Sequence, residues 1–398
     1  MTRNVAIAGI GLSDYPISPF TPEQHIAQAF QRALADSGLR KEDIDGFACT
    51  GDSVPHIEDA VNSAEQLGIH PRYYDGTFTG GSVFELMIQH ASAAIAVGEC
   101  EVALIVYGSD SRSRRKRQNG SKGGYGLVYD PRQASQGPLR VGGPMAFEAS
   151  YGGGIICSYA LAAQRHMYEF GTTSEQLAEI AVATRYNAGF NPSALYRDPI
   201  TVEDVLNSRM MADPLHQLDC CVVSDAGGAV ILTTEERARD LKQQPVHVLA
   251  AKSCMTHWQI GQMPSFTTAP VSHVADALFA AAGVTHSDID VLELYDSFTI
   301  TVLMQLEGLG FCKKGEGGPF VSDGKLKVGG ALPTNTDGGG LSSSHPGMRG
   351  IFTIIEAVRQ LRGAAGDAQV PDCKLALASG SGGILSSMGA TILGKERP

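Results

Sequence analysis

Residues 336–350, TDGGGLSSSHPGMRG, set one imidazole, that of His345, between a run of glycines and a helix expected over about 348–361. Gly338, Gly339 and Gly340 let the backbone turn tightly and approach a ligand, and Ser342, Ser343 and Ser344 offer hydroxyls that can cap the helix. An imidazole held at such a turn can act as a general acid or base near neutral pH. The same residues also fit a helix cap with an incidental surface histidine. A second cluster, Arg112, Arg114, Arg115, Lys116 and Arg117, could hold the phosphates of a charged ligand or form a solvated basic loop.

These groups have to be positioned by the elements around them. Residues 5–12 (VAIAGIGL) read as a buried strand. A helix should follow, with Thr21 as cap, Pro22 in the first turn, Gln24 completing a capping box and Gly38 as the stop. The stretch GLRKEDID at 38–45 recurs as GVTHSDID at 283–290, each copy after an Ala/Leu/Phe-rich helix and before a strand, GFACT in one case and VLELYDSF in the other. Strand 246–251 mirrors 5–12, helix 82–97 mirrors 348–361, and strand 102–107 mirrors 374–378. An internally duplicated α/β unit is expected, its halves related by a pseudo-two-fold axis. The first half takes in 1–110 and 216–240, the second 241–398, and 111–215 match neither. That middle stretch is basic, then glycine-rich, then helical over about 151–168, and reads as an inserted loop or cap domain.

With 398 residues, 43% hydrophobic and 18% charged, the chain has the composition of a soluble globular protein. A net charge of -11 argues against general nucleic-acid or anionic-membrane binding. No apolar run approaches the roughly 20 residues that span a bilayer, and 5–12 is too short and too glycine-broken for a signal peptide, so a cytoplasmic protein is expected. The eight cysteines include no CxxC pair, which indicates neither a zinc site nor a disulfide framework. Cys220 and Cys221 read as the start of an apolar strand, and most of the eight as buried thiols.

From residue 290 onward the order of parts resembles the thiolase superfamily, in its sterol-carrier-protein and lipid-transfer-protein branch: DVLELYDSFTITVLMQLEGLGFCKKGEGGPFV, then TNTDGGGLSSSHPGMRG, then a helix ending VRQLRG and a closing glycine-rich strand. The likeness extends to the first half through Gly80, Gly81 and Ser82 and through SDAGGAVILT. It implies a duplicated five-layer αβαβα core, an intervening loop domain that contacts coenzyme A, and a dimer; coenzyme A would then be the charged ligand whose phosphates Arg112, Arg114, Arg115 and Arg117 could hold. Members of the branch that are poor in cysteine work with a small OB-fold protein carrying a zinc ribbon, and such a partner is implied here.

The family's chemical positions have changed in this chain. Where thiolases place a nucleophilic cysteine at a helix start, the resemblance puts Gly80. Ser379 stands at the second cysteine, in ASGSGG, and Tyr295 at the Asn or His of the third motif. Only the His-Pro of the fourth is kept, as His345-Pro346. A covalent acyl-cysteine is therefore not expected. A phenol and an imidazole beside an acyl-CoA suit retro-aldol cleavage of a β-hydroxyacyl-CoA, as in thiolase-like aldolases that remove steroid side chains. One of Tyr295 and His345 would take the β-hydroxyl proton, and backbone N–H groups near Gly80 and Gly382 would hold the thioester oxygen. In the steroid aldolases the segment equivalent to SSSHPG tends to carry a tyrosine, and here it keeps His-Pro. The alternatives are a thiolase or acetyl-CoA acyltransferase subunit and a non-catalytic acyl-CoA or lipid-binding protein. The substrate is expected to be a coenzyme A thioester, with no covalently bound cofactor and no metal.

Overall fold

The computed structural model describes residues 3–50, 57–118, 148 and 154–398. The glycine-rich part of the expected insertion lies outside them. The N-terminal expectation is met in detail. β1 (Val5–Leu12) leads to α1 (Pro22–Ser37), whose capping box has Gln24 N donating to Thr21 Oγ1 at 3.4 Å and Thr21 N donating to Gln24 Oε1 at 2.9 Å. The helix stops at Gly38, whose φ of 78° is left-handed backbone that glycine adopts without a steric penalty.

The remaining strands are β2 (Gly46–Cys49), β3 (Tyr73–Asp75), β4 (Val102–Ser109), the small ribbon β5 (Met210–Ala212) and β6 (Leu215–His216), then β7 (Ala226–Thr234), β8 (Val246–Met255), β9 (Val291–Leu294), β10 (Leu375–Gly382) and β11 (Ser387–Gly394). Apart from the ribbon they are hydrogen-bonded in the order β3-β2-β4-β7-β1-β8-β11-β10-β9. Around the β1/β8 junction the order is symmetric: β1 with β7, β7 with β4, β8 with β11 and β11 with β10 are antiparallel, whereas β4 with β2 and β10 with β9 are parallel. The duplicated motif explains part of this symmetry. Asp45 accepts from the N–H groups of Glu101 and Val102 at 2.8 Å each, at the start of β4, and Asp290 accepts from Lys374 and Leu375 at 2.7 and 2.9 Å, at the start of β10. The same carboxylate therefore ties the same strand in each half.

The main described helices are α1, α2 (Ile57–Leu67), α3 (Val83–Val97), α4 (Ser111–Gln118), α5 (Ile155–Phe170), α6 (Ser174–Ala188), α7 (Ala275–Ala282), α8 (Thr299–Leu309) and α9 (Gly350–Leu361). α3 and α9 touch each other and strands of both halves, so they form a central layer between the two runs of strands. α1 packs on the outer face of the first half and α7 and α8 on that of the second. The result is the five-layer arrangement with three apolar interiors. No described helix is long and apolar enough to cross a membrane.

Buried carboxyls interrupt the central layer, Glu85 of α3 and Glu356 of α9. Glu85 of α3 is fully enclosed; Thr353 Oγ1 donates to its Oε1 at 3.2 Å and Oε2 has no partner. Its room comes from glycines, since a Cβ at Gly350 would lie 2.8 Å from Oε2 and one at Gly389 would lie 2.7 Å from the Glu85 Cβ. Burial pushes this carboxyl up to about 8. Its proton is thus kept in the folded chain and lost from the unfolded chain as pH rises above an ordinary glutamate value of about 4.3, so folded stability falls between there and about pH 8. Glu85→Gln should flatten the decline of Tm with pH across that window and leave Tm near pH 4 almost unchanged. A variant with the wild-type slope would show that Glu85 is not a source of it.

Candidate active site

The motif YDSF follows β9 and works in two directions. Tyr295 points into a cavity, and its neighbour Asp296 turns to the glycine run, accepting from Gly340 N at 2.7 Å and Leu341 N at 3.0 Å. Arg349 closes the arrangement. It is fully buried, with Nε 3.2 Å from Asp296 Oδ1, Nη2 2.6 Å from Asp337 Oδ1, and Nη1 donating to Ser344 O at 2.9 Å. Two carboxylates and one guanidinium therefore hold both ends of the segment that carries His345. The next turn is pinned as well: Pro346 O accepts from Tyr107 Oη at 2.9 Å and from Ser111 Oγ at 3.1 Å.

This geometry corrects the cap expected from the sequence. The residues Gly339–Ser343 form a single wide π-type turn, and α9 starts at Gly350 with no side-chain cap. Ser342 accepts from Arg185 Nε at 2.8 Å and Ser344 pairs with Ser224 at 2.9 Å, so these serines secure the turn. His345 is 9% exposed and no surface residue.

The imidazole and the phenol meet directly, with His345 Nε2 3.1 Å from Tyr295 Oη and the rings edge to face at 5.4 Å. Both are neutral near pH 7. Burial, helped by the Arg349 charge, holds His345 down at about 3, and burial first, with the nearby Cys221 second, holds Tyr295 well above the ordinary phenol range. With both groups uncharged, the phenol donates to Nε2 in the imidazole tautomer that carries its proton on Nδ1.

The cavity encloses about 320 Å³ at the carboxyl ends of β9 and β10, where open α/β sheets bind ligands. Phe78, Trp258, Ile155, Ile156 and Phe298 supply apolar wall. Gly80, at a φ of 74°, lies on its rim, packed so that a Cβ would sit 2.6 Å from Gly383 N. Gly382 is in the same contact, against the Thr79 carbonyl oxygen, but lies behind the wall formed by Ser381 and Gly383. Ser379 lies deeper in β10, its Oγ donating to Gly389 O at 3.0 Å, and it is not on the cavity wall.

The basic run is the helix α4. Arg114 and Arg115 line the cavity, whereas Arg112 donates to Val223 O at 3.0 Å and Arg117 pairs with Asp110. The two adjacent cysteines are also placed differently from the sequence expectation. They precede β7 in a loop, Cys221 N donates to Ser297 O at 2.9 Å, and both line the cavity. Burial pushes Cys221 up to about 12 and Cys220 still higher, so neither is a thiolate at neutral pH.

Sequence reasoning gave no site role to Gly81, Ser381 or Tyr159. A Cβ at Gly81 would overlap the Tyr295 ring, 2.5 Å from Oη, so the phenol fills the space a side chain would take at the mouth of α3. The doubled glycine was the available signal. Tyr159 projects from α5, the element least like the duplicated core, and stacks on Phe298 at 4.4 Å. Among the described residues no cluster of His, Cys, Asp or Glu is arranged to hold a metal ion.

The chain is similar to known proteins over most of its length. Residues 252–395 match the family described as thiolase C-terminal domain-like. The chain is 35% identical to the steroid side-chain-cleaving aldolase of Thermomonospora curvata, over 98% of each chain. It is also 35% identical to the 17-hydroxy-3-oxo-4-pregnene-20-carboxyl-CoA lyase of Mycobacterium tuberculosis, over 92% of this chain and 93% of that one. Among solved structures the Ltp2-ChsH2(DUF35) aldolase superposes with a TM-score of 0.81 at 33% identity, covering 98% of this chain and 97% of that chain.

Proposed function

The chain belongs to the thiolase superfamily, in its sterol-carrier-protein and lipid-transfer branch, and from that premise we propose that it cleaves a β-hydroxyacyl-CoA by a retro-aldol reaction. The observation that carries the reading is the neutral phenol–imidazole pair, Tyr295 Oη 3.1 Å from His345 Nε2, in a cavity whose two thiols stay protonated. The β-hydroxyl proton passes to Tyr295 as the phenol proton moves to Nε2. The Cα–Cβ electrons move into the thioester to form an enolate, and the β-carbon leaves as a ketone or aldehyde. An imidazolium beside Arg349 is disfavoured by itself; the enolate charge created in the same step offsets it. Return of the proton to Cα gives the shortened acyl-CoA and restores the neutral pair.

The names of the relatives support a steroid side chain as the acyl group, and the apolar wall is compatible with one. Arg114 and Arg115, which line the cavity, are our candidates for meeting coenzyme A phosphates, Arg114 while also paired with Asp110 at 3.7 Å; Arg112 is bonded to Val223 O and Arg117 to Asp110. The assembly we propose is a homodimer with a small OB-fold, zinc-ribbon partner; the two-component name of the solved relative supports the partner. Incubation with a 17-hydroxy steroid side-chain acyl-CoA, with and without such a partner, should release a carbonyl product and one equivalent of acyl-CoA with no free coenzyme A consumed. Strict dependence on added coenzyme A, together with inactivation by thiol alkylation, would establish thiolysis instead.

A further inference from the structure

Ser381 occupies the last outward position of β10 before the turn at Gly382 and Gly383. It is 2% exposed, it forms part of the cavity wall, and its Oγ has no hydrogen-bond partner of normal geometry. A buried hydroxyl left unpaired costs free energy, and in a ligand cavity the group that satisfies it is a bound polar atom. The surroundings narrow the choice. The Tyr159 phenol lies beside both Ser381 and Ser297 but directs its own proton to Gly383 O at 3.3 Å, Ser297 Oγ is paired with Thr301 Oγ1 at 3.0 Å, and Ser379, deeper in the strand, is bonded to Gly389 O. Tyr295 N is bonded to Ser379 O at 2.9 Å, which sets the phenol and the free hydroxyl on adjacent parallel strands that end in the same cavity.

We propose that Ser381 is a catalytic residue whose hydroxyl donates to the thioester oxygen of the bound acyl-CoA and holds that oxygen as it becomes an enolate. This rests on the retro-aldol reading for the reaction, but the contact itself requires only a thioester carbonyl. It moves the oxygen-binding role from a backbone turn at Gly382 to a side chain, and leaves Tyr295 and His345 to handle the proton. No bond to Ser381 forms or breaks; the hydroxyl keeps its proton, and the carbonyl π electrons and the Cα–Cβ pair shift to give the enolate.

The test compares the full chain's affinity for propionyl-CoA with that for S-propyl-CoA, a thioether of the same length that lacks the oxygen. Wild type should prefer the thioester by about five- to tenfold, Ser381→Ala should lose that preference, and Ser381→Thr, which keeps a hydroxyl, should retain most of it. On a cleavable substrate Ser381→Ala should also lower kcat by about 100-fold. A preference retained in the alanine variant, or absent from wild type, overturns the assignment. If no β-hydroxyacyl-CoA is cleaved but the thioester preference follows the hydroxyl, the retro-aldol reading fails and the Ser381 contact stands. A folded Ser381→Thr variant that shows no more preference than a folded Ser381→Ala variant also counts against it.

Discussion

Tyr295→Phe is expected to lower kcat for cleavage of a β-hydroxyacyl-CoA by about 100-fold or more, and His345→Gln to do the same, because each removes one half of a single proton path. The phenyl ring keeps the edge-to-face contact with the imidazole and the packing against Gly81, so Tyr295→Phe should fold and bind acyl-CoA normally. In the double variant the losses should not multiply, since either substitution already breaks the path from the β-hydroxyl to Nε2. The pH profile separates this pair from a conventional histidine base. With His345 held at about 3 and Tyr295 well above the ordinary phenol range, neither group titrates near neutrality. No limb near the usual histidine value of about 6.5 should belong to His345: any acid limb in wild type should persist in the residual activity of His345→Gln. Near-normal rates in both single variants would remove the pair from the mechanism.

The sequence was legible where local chemistry decides the outcome. The capping box at Thr21 and the stop at Gly38 act within a few residues, and the recurrence of the motif holding Asp45 and Asp290 was visible in the sequence, whereas the strand that each carboxylate ties lies 56 and 84 residues away and was not. Tyr295 and His345 were also legible as types, but their meeting was not: they stand 50 residues apart and are joined only by the fold. Where the reading departs from the structure, a tertiary contact outweighed a local preference. Serines that fit a helix cap are drawn to Arg185 and Ser224, and a cysteine pair that fits a strand start is drawn to Ser297 and the cavity. Nothing in the alternation of β10 tells which of Ser379 and Ser381 reaches the ligand. Both lie on one face, and depth in the sheet separates them.

Arg349→Met should have the largest effect on stability. The guanidinium is fully buried between Asp296 and Asp337, and methionine replaces much of its volume while leaving two carboxylates without their counter-charge. Removing one partner from a buried ionic group costs about 3–5 kcal/mol, far more than the median surface pair. Burial already pushes Asp296 up to about 6 against the pull of Arg349, so loss of the arginine should raise it further. The variant's deficit should therefore be largest at alkaline pH and shrink as pH falls and Asp296 takes up a proton, the reverse of a simple acid-sensitive ion pair. Activity should fall too, because Asp296 stops the turn at Gly340 and Leu341 from moving and that turn aims His345 at Tyr295. Denaturant melts at several pH values check the first part. A cost below about 1 kcal/mol at all of them would mean that the glycine turn is held by its backbone contacts to Leu195, Tyr196, Val222 and Ser224 without help from the ion pairs.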